Sequence, residues 1–216
     1  MLTFAEEFLL LSHDEKSGQF HDVPQLILDP ALAAAALMDL ALRDRIDTDL
    51  DTLVLVDRTP TGEKLLDHVL SIIVAEPEPQ SSTEWLSRLR LEGSTLREMA
   101  IERMIERGIL REQDGRFLWV FETRRYPLIE DQELQEVKLR IATLLFNDDI
   151  PDPRDIVIIA LADTCGLLGK VFSNAELNRA DARIQQIVKL DLIGQALRAT
   201  IVELQLALAG AGLLYH

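Results

Sequence analysis

The chain contains one cysteine among 216 residues, and it has no Cys-x-x-Cys pair and no cysteine and histidine at metal-ligand spacing. This pattern excludes a disulfide framework and a structural zinc site, so Cys165 is expected to be a buried, inert thiol. Aromatic residues are also scarce at 5%, although 48% of the residues are hydrophobic, mainly leucine, alanine and isoleucine. An aliphatic composition of this kind favours packed helices over a sheet core.

The common catalytic motifs are absent. The sequence has no phosphate-binding GxxxxGK loop, no GxGxxG after a predicted strand, no HExxH and no GxSxG. His13 and His21 accompany Asp14 and Asp22 in the first predicted loop, but they share no helix face and no third ligand is fixed by spacing. We therefore expect no enzymatic activity, no catalytic residues, no metal site and no cofactor.

Long hydrophobic runs and excess positive charge are missing as well. No apolar run reaches the roughly 18 residues that a spanning helix needs, and the first residues lack the basic flank of a signal peptide. The formal net charge is -15, which argues against nucleic acid as the main ligand because phosphate contacts require clustered positive charge. The expected location is cytoplasmic, with peripheral association to a membrane.

Most of the chain has the periodicity of amphipathic helices. Thr3 and Glu6 predict a capping box for the first helix, and Asp29 is the predicted N-cap of an almost wholly apolar helix over residues 31–43. Residues 49–57 predict a strand or small hairpin. Further helices are predicted over residues 63–74, 84–91, 94–107, 131–146, 154–172, 175–188 and 191–208.

These elements predict an all-α fold class. We expect a single helical-bundle domain over residues 1–216, with a central apolar helix, surrounding amphipathic helices and minor β-hairpins. Two acidic residues lie inside apolar helices and therefore need partners. Asp39 is expected to pair with Arg43 one turn later, and Asp163 is expected to find a cation of its own.

Residues 94–128 differ from the rest of the chain. An amphipathic helix ends at Gly108, and residues 109–112 and 117–121 predict two strands joined by a turn near Asp114 and Gly115. Seven arginines against six acids give this stretch a net charge of +1 within a chain of net charge -15. A locally basic module on an acidic body is typical of contact with an anionic membrane surface.

The second predicted strand, FLWVF, is apolar on both faces. Alternation directs Leu118 and Val120 to one face and Trp119 to the other, so one face can pack on the core while the other needs a partner. Membrane insertion or self-association would cover that face, and a hairpin packed wholly within the monomer is the alternative. A helix followed by an arginine-rich hairpin also fits a winged-helix DNA-binding regulator, but Glu98, Glu102 and Glu106 would face the phosphates.

Several segments, taken in order, resemble the Golgi phosphoprotein 3 family. They are LTFAEEFLLL at residues 2–11, LALRDRI at 40–46, PTGEKLLD at 60–67, EWLSRL at 84–89, and IERGIL, FLWVF and YPL between 105 and 128. The resemblance implies an all-helical domain with a protruding hairpin and no catalysis. It implies a peripheral protein that binds phosphatidylinositol 4-phosphate on Golgi-type membranes and holds the tails of Golgi enzymes. Because the chain begins close to the first of these segments, without the basic extension of eukaryotic members, it resembles a prokaryotic member.

The resemblance also implies a phosphoinositide site built from one tryptophan and three arginines. Carried over without gaps, the tryptophan falls on Pro24 and the arginines fall on Ala33, Ser94 and Arg97. A gapped match through Phe20 places His21 at the tryptophan position. Alanine and serine do not replace bidentate arginines, so we expect binding to anionic lipid in general.

The candidate residues follow from the charge pattern and the resemblance together. The candidate head-group residues are Arg97, Arg90, Arg88 and His21. The candidates for membrane insertion or self-association are Leu118, Trp119 and Val120. The expected partners are an anionic, phosphoinositide-type lipid, membrane-protein tails and a second copy through the hairpin, with no nucleic acid.

Overall fold

The structure is a computed structural model that describes residues 1–48, 52–76, 78–113, 125–147 and 149–212, with the backbone alone for residue 205 and residues 207–212. Its α-helices are α1 (Phe4–Leu11), α2 (Gln25–Leu42), α3 (Lys64–Val74), α4 (Ser82–Leu89), α5 (Gly93–Glu106), α6 (Gln132–Phe146), α7 (Pro153–Thr164), α8 (Leu168–Val171), α9 (Asn174–Val188) and α10 (Leu192–Gly212). A short 3-10 turn, Arg90–Glu92, joins α4 to α5. The predicted all-α fold class is confirmed.

Helix α2 lies at the centre of the bundle, as predicted. It contacts α1, α3, α4, α5, α7 and α10, and every residue from Pro30 to Leu40 is buried. Runs of alanine allow these neighbours to approach closely. Among the described helices, α2 has the length and apolar composition of a membrane span, but 61% of its 18 residues are buried inside the fold. Its apolar character is that of a core helix.

The start of α2 was predicted too late in the chain. The helix begins at Gln25, and the N–H groups of Ile27 and Leu28 bond to the carbonyl of Pro24. Pro30 therefore lies inside the helix and Asp29 is not its N-cap. Proline lacks an N–H, so the helix loses one internal hydrogen bond. Ile27 and Leu28 pack against the core, and the buried apolar surface offsets that loss.

Two other boundaries differ from the sequence prediction. The predicted helix over residues 154–172 is divided into α7 and α8 at Gly166, which has a φ of 71°. The N–H of Leu167 bonds to the carbonyl of Ala162 at 2.8 Å, a Schellman arrangement that ends α7. Helix α10 extends four residues beyond the predicted end at 208, to Gly212.

The sheet content is small, as predicted. Strands β1 (His13–Asp14) and β2 (Gln19–Phe20) form one antiparallel hairpin, and β3 (Ile46–Thr48) and β4 (Leu53–Leu55) form another. Two isolated bridges pair Leu110 with Leu128 and Gln113 with Arg125. The partner of the segment that follows α5 is thus residues 125–128, where the sequence predicted residues 117–121. Residues 114–124, with the predicted turn and second strand, lie outside the described residues.

Arginines from several helices anchor α1, all of whose residues are buried. The Thr3–Glu6 capping box is present, and the Glu6 carboxylate also accepts a bond from Arg103. Glu7 accepts bonds from Arg140 Nη2 at 2.9 Å and Arg154 Nη2 at 2.7 Å. Buried carboxylates are tolerated when they are paired and hydrogen-bonded in this way.

The two predicted intrahelical acids have different partners. Asp39 Oδ2 accepts the N–H of Phe4 at 2.6 Å, while Arg43 Nε and Arg154 Nη1 both lie 4.0 Å from its Oδ1. The predicted pairing with Arg43 is therefore loose, and the backbone of α1 provides the close contact. Asp163 pairs with Arg198 from α10.

Candidate functional site

A pocket of about 260 Å³ lies where the first hairpin meets α5. Its walls come from the end of α1, from β2 and the residues after it, from the first turn of α2 and from one side of α5. The lining residues are Leu9, Ser12, Gln19, Phe20, His21, Asp22, Val23, Leu28, Arg97 and Tyr126. Two predicted head-group residues, Arg97 and His21, thus line one cavity, which we call the Arg97 pocket.

Arg97 is held by an aromatic ring and by few polar groups. Its guanidinium carbon lies 5.4 Å from the centroid of the Phe20 ring, where the cation is attracted to the ring face. Its Nε is buried and has no hydrogen-bond partner, and within the described part of the chain Arg97 forms no salt bridge. The guanidinium therefore retains donors for an anionic oxygen in the pocket.

Arg90 shares an acidic neighbour with Arg97. Burial raises the pKa of Asp29 above its ordinary value, while Gln25, Arg90 and Arg97 act in the opposite direction. The Nε of Arg90 is also buried without a hydrogen-bond partner. Asp29 therefore interacts electrostatically with both arginines at the junction of α2 and α5. One shared carboxylate leaves most of the N–H donors of the two guanidinium groups unused.

Glycine at position 93 allows this junction to form. A Cβ at Gly93 would lie 2.4 Å from the Cβ of Asp29, which is far inside van der Waals contact. Only a residue without a side chain lets the start of α5 approach α2 so closely. Helix α5 is thereby set at the depth that brings Arg97 into the pocket.

The pocket shares a wall with the base of the predicted membrane hairpin. The ring of Phe20 lies 5.7 Å from the rings of both Tyr126 and His13. A nitrogen of His13, Nε2, is 2.8 Å from the carbonyl oxygen of Tyr126, and the Tyr126 N–H bonds to Gly18 at 2.7 Å. Burial lowers the pKa of His13 despite this bond, so the neutral ring donates from Nε2. The first hairpin is thus fastened to residues 125–128.

The remaining predicted site residues lie elsewhere or outside the described residues. Arg88, on α4, pairs with Glu76, and its guanidinium carbon is 5.6 Å from the ring centroid of Trp85. It does not line the Arg97 pocket. Leu118, Trp119 and Val120 belong to the segment that the structure does not describe.

Three of the four positions matched through the family resemblance carry other residues: Pro24 stands at the tryptophan position, and Ala33 and Ser94 stand at arginine positions. Pro24 is exposed and precedes α2, and Ser94 is exposed beside Gly93. Ala33 is fully buried in the core, so an arginine there would require a different packing of α2. In the ungapped match made from the sequence, Arg97 is the one of the three arginine positions at which this chain also has an arginine.

Sequence reasoning missed Asp29 and Tyr126 as neighbours of the site. No local pattern links Tyr126 to a hairpin more than a hundred residues earlier, and Asp29 was interpreted as a helix cap.

Within the described residues, no group of three or more His, Cys, Asp or Glu side chains is arranged to hold a metal ion. Cys165 is partly buried, and burial and Asp163 raise its pKa to about 12, which disfavours the reactive thiolate.

Comparison with known proteins identifies the family. Vacuolar protein sorting-associated protein 74 of Eremothecium gossypii is 25% identical over 215 residues, and the alignment covers 83% of this chain and 64% of that relative. The chain therefore spans less than two thirds of the length of the curated relative. The family model of Golgi phosphoprotein 3 (GPP34) matches residues 4–204, and the chain belongs to the Golgi phosphoprotein 3 family.

Proposed function

We propose that this protein is a non-enzymatic, cytoplasmic, peripheral membrane protein that binds anionic lipid head groups in the Arg97 pocket. The observation that carries the proposal is Arg97 itself, a half-buried arginine that lines a pocket and has no ion-pair partner among the described residues. Arg97 is the principal contact, His21 offers a second polar group, and Arg90 adds positive charge nearby. The proposal leaves out Arg88, which is engaged by Glu76.

The other arginines make Arg97 distinctive. Many guanidinium groups in the described residues are joined to carboxylates: those of Arg45, Arg88, Arg103, Arg140, Arg154 and Arg198. These guanidinium groups are already engaged by carboxylates and have little capacity for a ligand. Arg97 stacks on Phe20 and forms no salt bridge with a described carboxylate, which suits a planar guanidinium that donates to a phosphate through two N–H groups.

The charge of the whole chain limits how strong this binding can be. Asp22 lines the pocket and Asp29 lies near the two arginines, while the chain as a whole carries -15. Long-range attraction to an anionic surface is therefore weak, and salt will screen the local contact further. A second, apolar anchor is required, because one weak signal gives only reversible membrane contact.

We assign that second anchor to the second strand of the predicted hairpin, with Leu118, Trp119 and Val120 as inserting residues. The assignment rests on the FLWVF sequence and on the family. It is supported by the shared wall, since Tyr126 at the base of the hairpin also lines the Arg97 pocket. An element that starts beside the head-group site is well placed to enter the same membrane.

The head-group preference is proposed to be broad. Ala33 and Ser94 replace two arginines of the family site, so a 4-phosphate would lack its bidentate partners. Other anionic glycerophospholipids, such as phosphatidylglycerol, should bind as tightly as phosphatidylinositol 4-phosphate at equal surface charge.

By analogy with a relative named for vacuolar protein sorting, tails of membrane proteins are proposed as protein partners. The proposed location is a Golgi-type membrane.

Liposome flotation tests this proposal. Vesicles of phosphatidylcholine alone are compared with vesicles that contain phosphatidylglycerol or phosphatidylinositol 4-phosphate at equal surface charge. We expect both anionic compositions to retain the protein, and Arg97→Gln to weaken retention about tenfold, since a charge-assisted hydrogen bond contributes roughly 1.5–3 kcal/mol. Arg88→Gln is the matched control and should bind like the wild type, because Arg88 pairs with Glu76.

Thermal midpoints establish that each variant is folded. Equal retention of the Arg97 and Arg88 variants would reject the pocket as the lipid site, and a clear preference for phosphatidylinositol 4-phosphate would reject the broad specificity.

No described feature favours the winged-helix alternative, because Glu98, Glu102 and Glu106 are all exposed on α5, where they would repel the phosphates of a duplex.

A further inference from the structure

Residues 109–113 and 125–129 lie side by side as two short antiparallel segments. Between their two isolated bridges, the N–H of Arg111 bonds to the carbonyl of Pro127 at 3.0 Å. Successive side chains of extended, paired segments point to opposite faces. The inward face packs on the core of the bundle through Leu110, Tyr126 and Leu128. The alternate residues of both segments therefore form an outward face.

This outward face carries two arginines. Arg111 and Arg125 are exposed, and neither forms a salt bridge with a carboxylate of a described residue. They occupy diagonal positions, because Arg111 lies opposite Pro127, two residues after Arg125. Long side chains at such positions reach one another across the pair. Both guanidinium groups can therefore approach the same anionic surface.

An exposed apolar side chain accompanies the two arginines. Ile129 follows Arg125 by four residues, so alternation places it on the same face, and it is 55% exposed. Cationic and apolar side chains together are typical of surfaces that lie at the boundary between lipid head groups and acyl chains. The combination favours a membrane as the partner of this face.

The position of the face in the chain agrees with this partner. The two segments flank residues 114–124, which contain the FLWVF sequence proposed to insert into the membrane. The chain must cross the level of the lipid phosphates where it enters and leaves the membrane. Arg111 and Arg125 stand close to those two points, and arginine donates to a phosphate through two N–H groups.

We propose that the outward side of these segments, here called the hairpin-base face, is an additional contact with anionic lipid. Arg111 and Arg125 bind lipid phosphates, and Ile129 enters the interface. The proposal rests on the proposed function but uses other residues, since Tyr126, the residue of these segments that lines the Arg97 pocket, lies on the inward face. The two cations offset part of the repulsion between a chain of net charge -15 and an anionic membrane.

Liposome flotation on phosphatidylglycerol vesicles tests the two arginines. Arg111→Gln and Arg125→Gln should each lower retention about fivefold, since a basic residue near an anionic surface contributes roughly 1 kcal/mol. Arg58→Gln is the matched control, because it removes the same charge from an exposed position in the loop before α3. It should change retention by less than about twofold, because salt screens distant charges. Equal retention of all three variants would overturn the proposal.

A fluorescent label tests the contact itself. Ile129→Cys is labelled with nitrobenzoxadiazole in a Cys165→Ser background, and its emission should shift to shorter wavelength when phosphatidylglycerol vesicles are added. Ile150→Cys is the control at a position that is 94% exposed, and its emission should not change. An unchanged emission at position 129, with weakened arginine variants, would show that the arginines act at long range and would overturn the contact. Thermal midpoints establish that the variants are folded.

The outcomes separate this proposal from the Arg97 pocket. If Arg97→Gln weakens retention while the Arg111 and Arg125 variants behave like the Arg58 control, the pocket stands and the hairpin-base face is rejected. If anionic vesicles do not retain the wild type, both proposals fail. Polyglutamate is titrated without vesicles as a further probe. Binding of polyglutamate that is lost in the Arg111 and Arg125 variants would assign the face to an acidic protein and reject the lipid.

Discussion

At the scale of single residues, the molecule is organised by which charges are neutralised. Glu7 receives two arginines from two helices, Arg140 and Arg154, whereas Arg97 and Asp191 have no direct ionic partner among the described residues. Such pairs contribute little net stability, but removing one partner of a buried pair is costly. The charges of Arg97 and Asp191 are therefore not neutralised by a direct ion pair with a described residue.

The raised pKa of Asp191 predicts a pH-dependent cost of folding. Its pKa is about 6 in the folded chain and 3.8 in the reference state, so the folded protein holds the extra proton. Stability from this group is present below about pH 4 and is lost as the pH rises through about 6. Asp191→Asn should raise the free energy of unfolding near pH 7.5 by at most about 3 kcal/mol, since each pKa unit is worth roughly 1.4 kcal/mol.

Urea denaturation at about pH 5 and about pH 7.5 checks this prediction. The gap between the variant and the wild type should widen at the higher pH. Asp181→Asn, at an exposed position of α9, is the control and should stay within about 0.5 kcal/mol of the wild type. A gap that is the same at both pH values would show that Asp191 does not titrate in this range.

At the scale of elements, the contact between α2 and α5 positions the candidate lipid site. The contact depends on Gly93, where α5 begins against Asp29. Protein interiors are close-packed, so an added methyl group at such a position has to displace its neighbours. The depth of α5 and the position of Arg97 are therefore set together.

Gly93→Ala is expected to lower the free energy of unfolding by about 1–3 kcal/mol, because the new Cβ overlaps Asp29 and forces the helices apart. Gly169→Ala is a matched control within α8, where a Cβ would meet nothing within 4 Å. The control should be neutral or slightly stabilising, since alanine restricts the unfolded chain. Thermal and urea unfolding compare the two, and equal stability would show that the α2–α5 contact relaxes freely.

At the scale of the whole molecule, an acidic body carries a locally basic module. Residues 94–128 have a net charge of +1 in a chain of -15, so an anionic surface attracts one region and repels the rest. In the proposed function, this polarity orients the protein before any apolar contact forms. The apolar FLWVF sequence within the same module is the proposed second anchor.

The hairpin prediction is tested with Leu118→Asp and Trp119→Asp. These residues are predicted to point to opposite faces, and burying an apolar side chain of this size contributes roughly 1.5–3 kcal/mol. At least one variant should keep the thermal midpoint and helical circular dichroism of the wild type while losing liposome retention or self-association. If both variants lower the midpoint sharply, the hairpin belongs to the core. If neither variant alters binding, the hairpin has no role in anchoring.

The sequence by itself determined the class of the fold and most of its helices. Periodicity, the Thr3–Glu6 capping box and the apolar run over residues 31–43 are local signals, so the bundle and its central helix could be predicted. The order of short motifs likewise indicated the family and Arg97. The same local rules misplaced the start of α2, where buried contacts of Ile27 and Leu28 outweigh the hydrogen bond lost at Pro30.

Only the tertiary structure decided which charged residues are paired with an opposite charge. Arg88 and Arg97 look alike in sequence, but Glu76 neutralises the first and Phe20 stacks on the second. Asp191 caps the first turn of α10 through Gly194, and only the structure shows that no positive side chain lies near it among the described residues. These differences depend on partners far apart in the chain, and the energy of a charge depends on its surroundings in space.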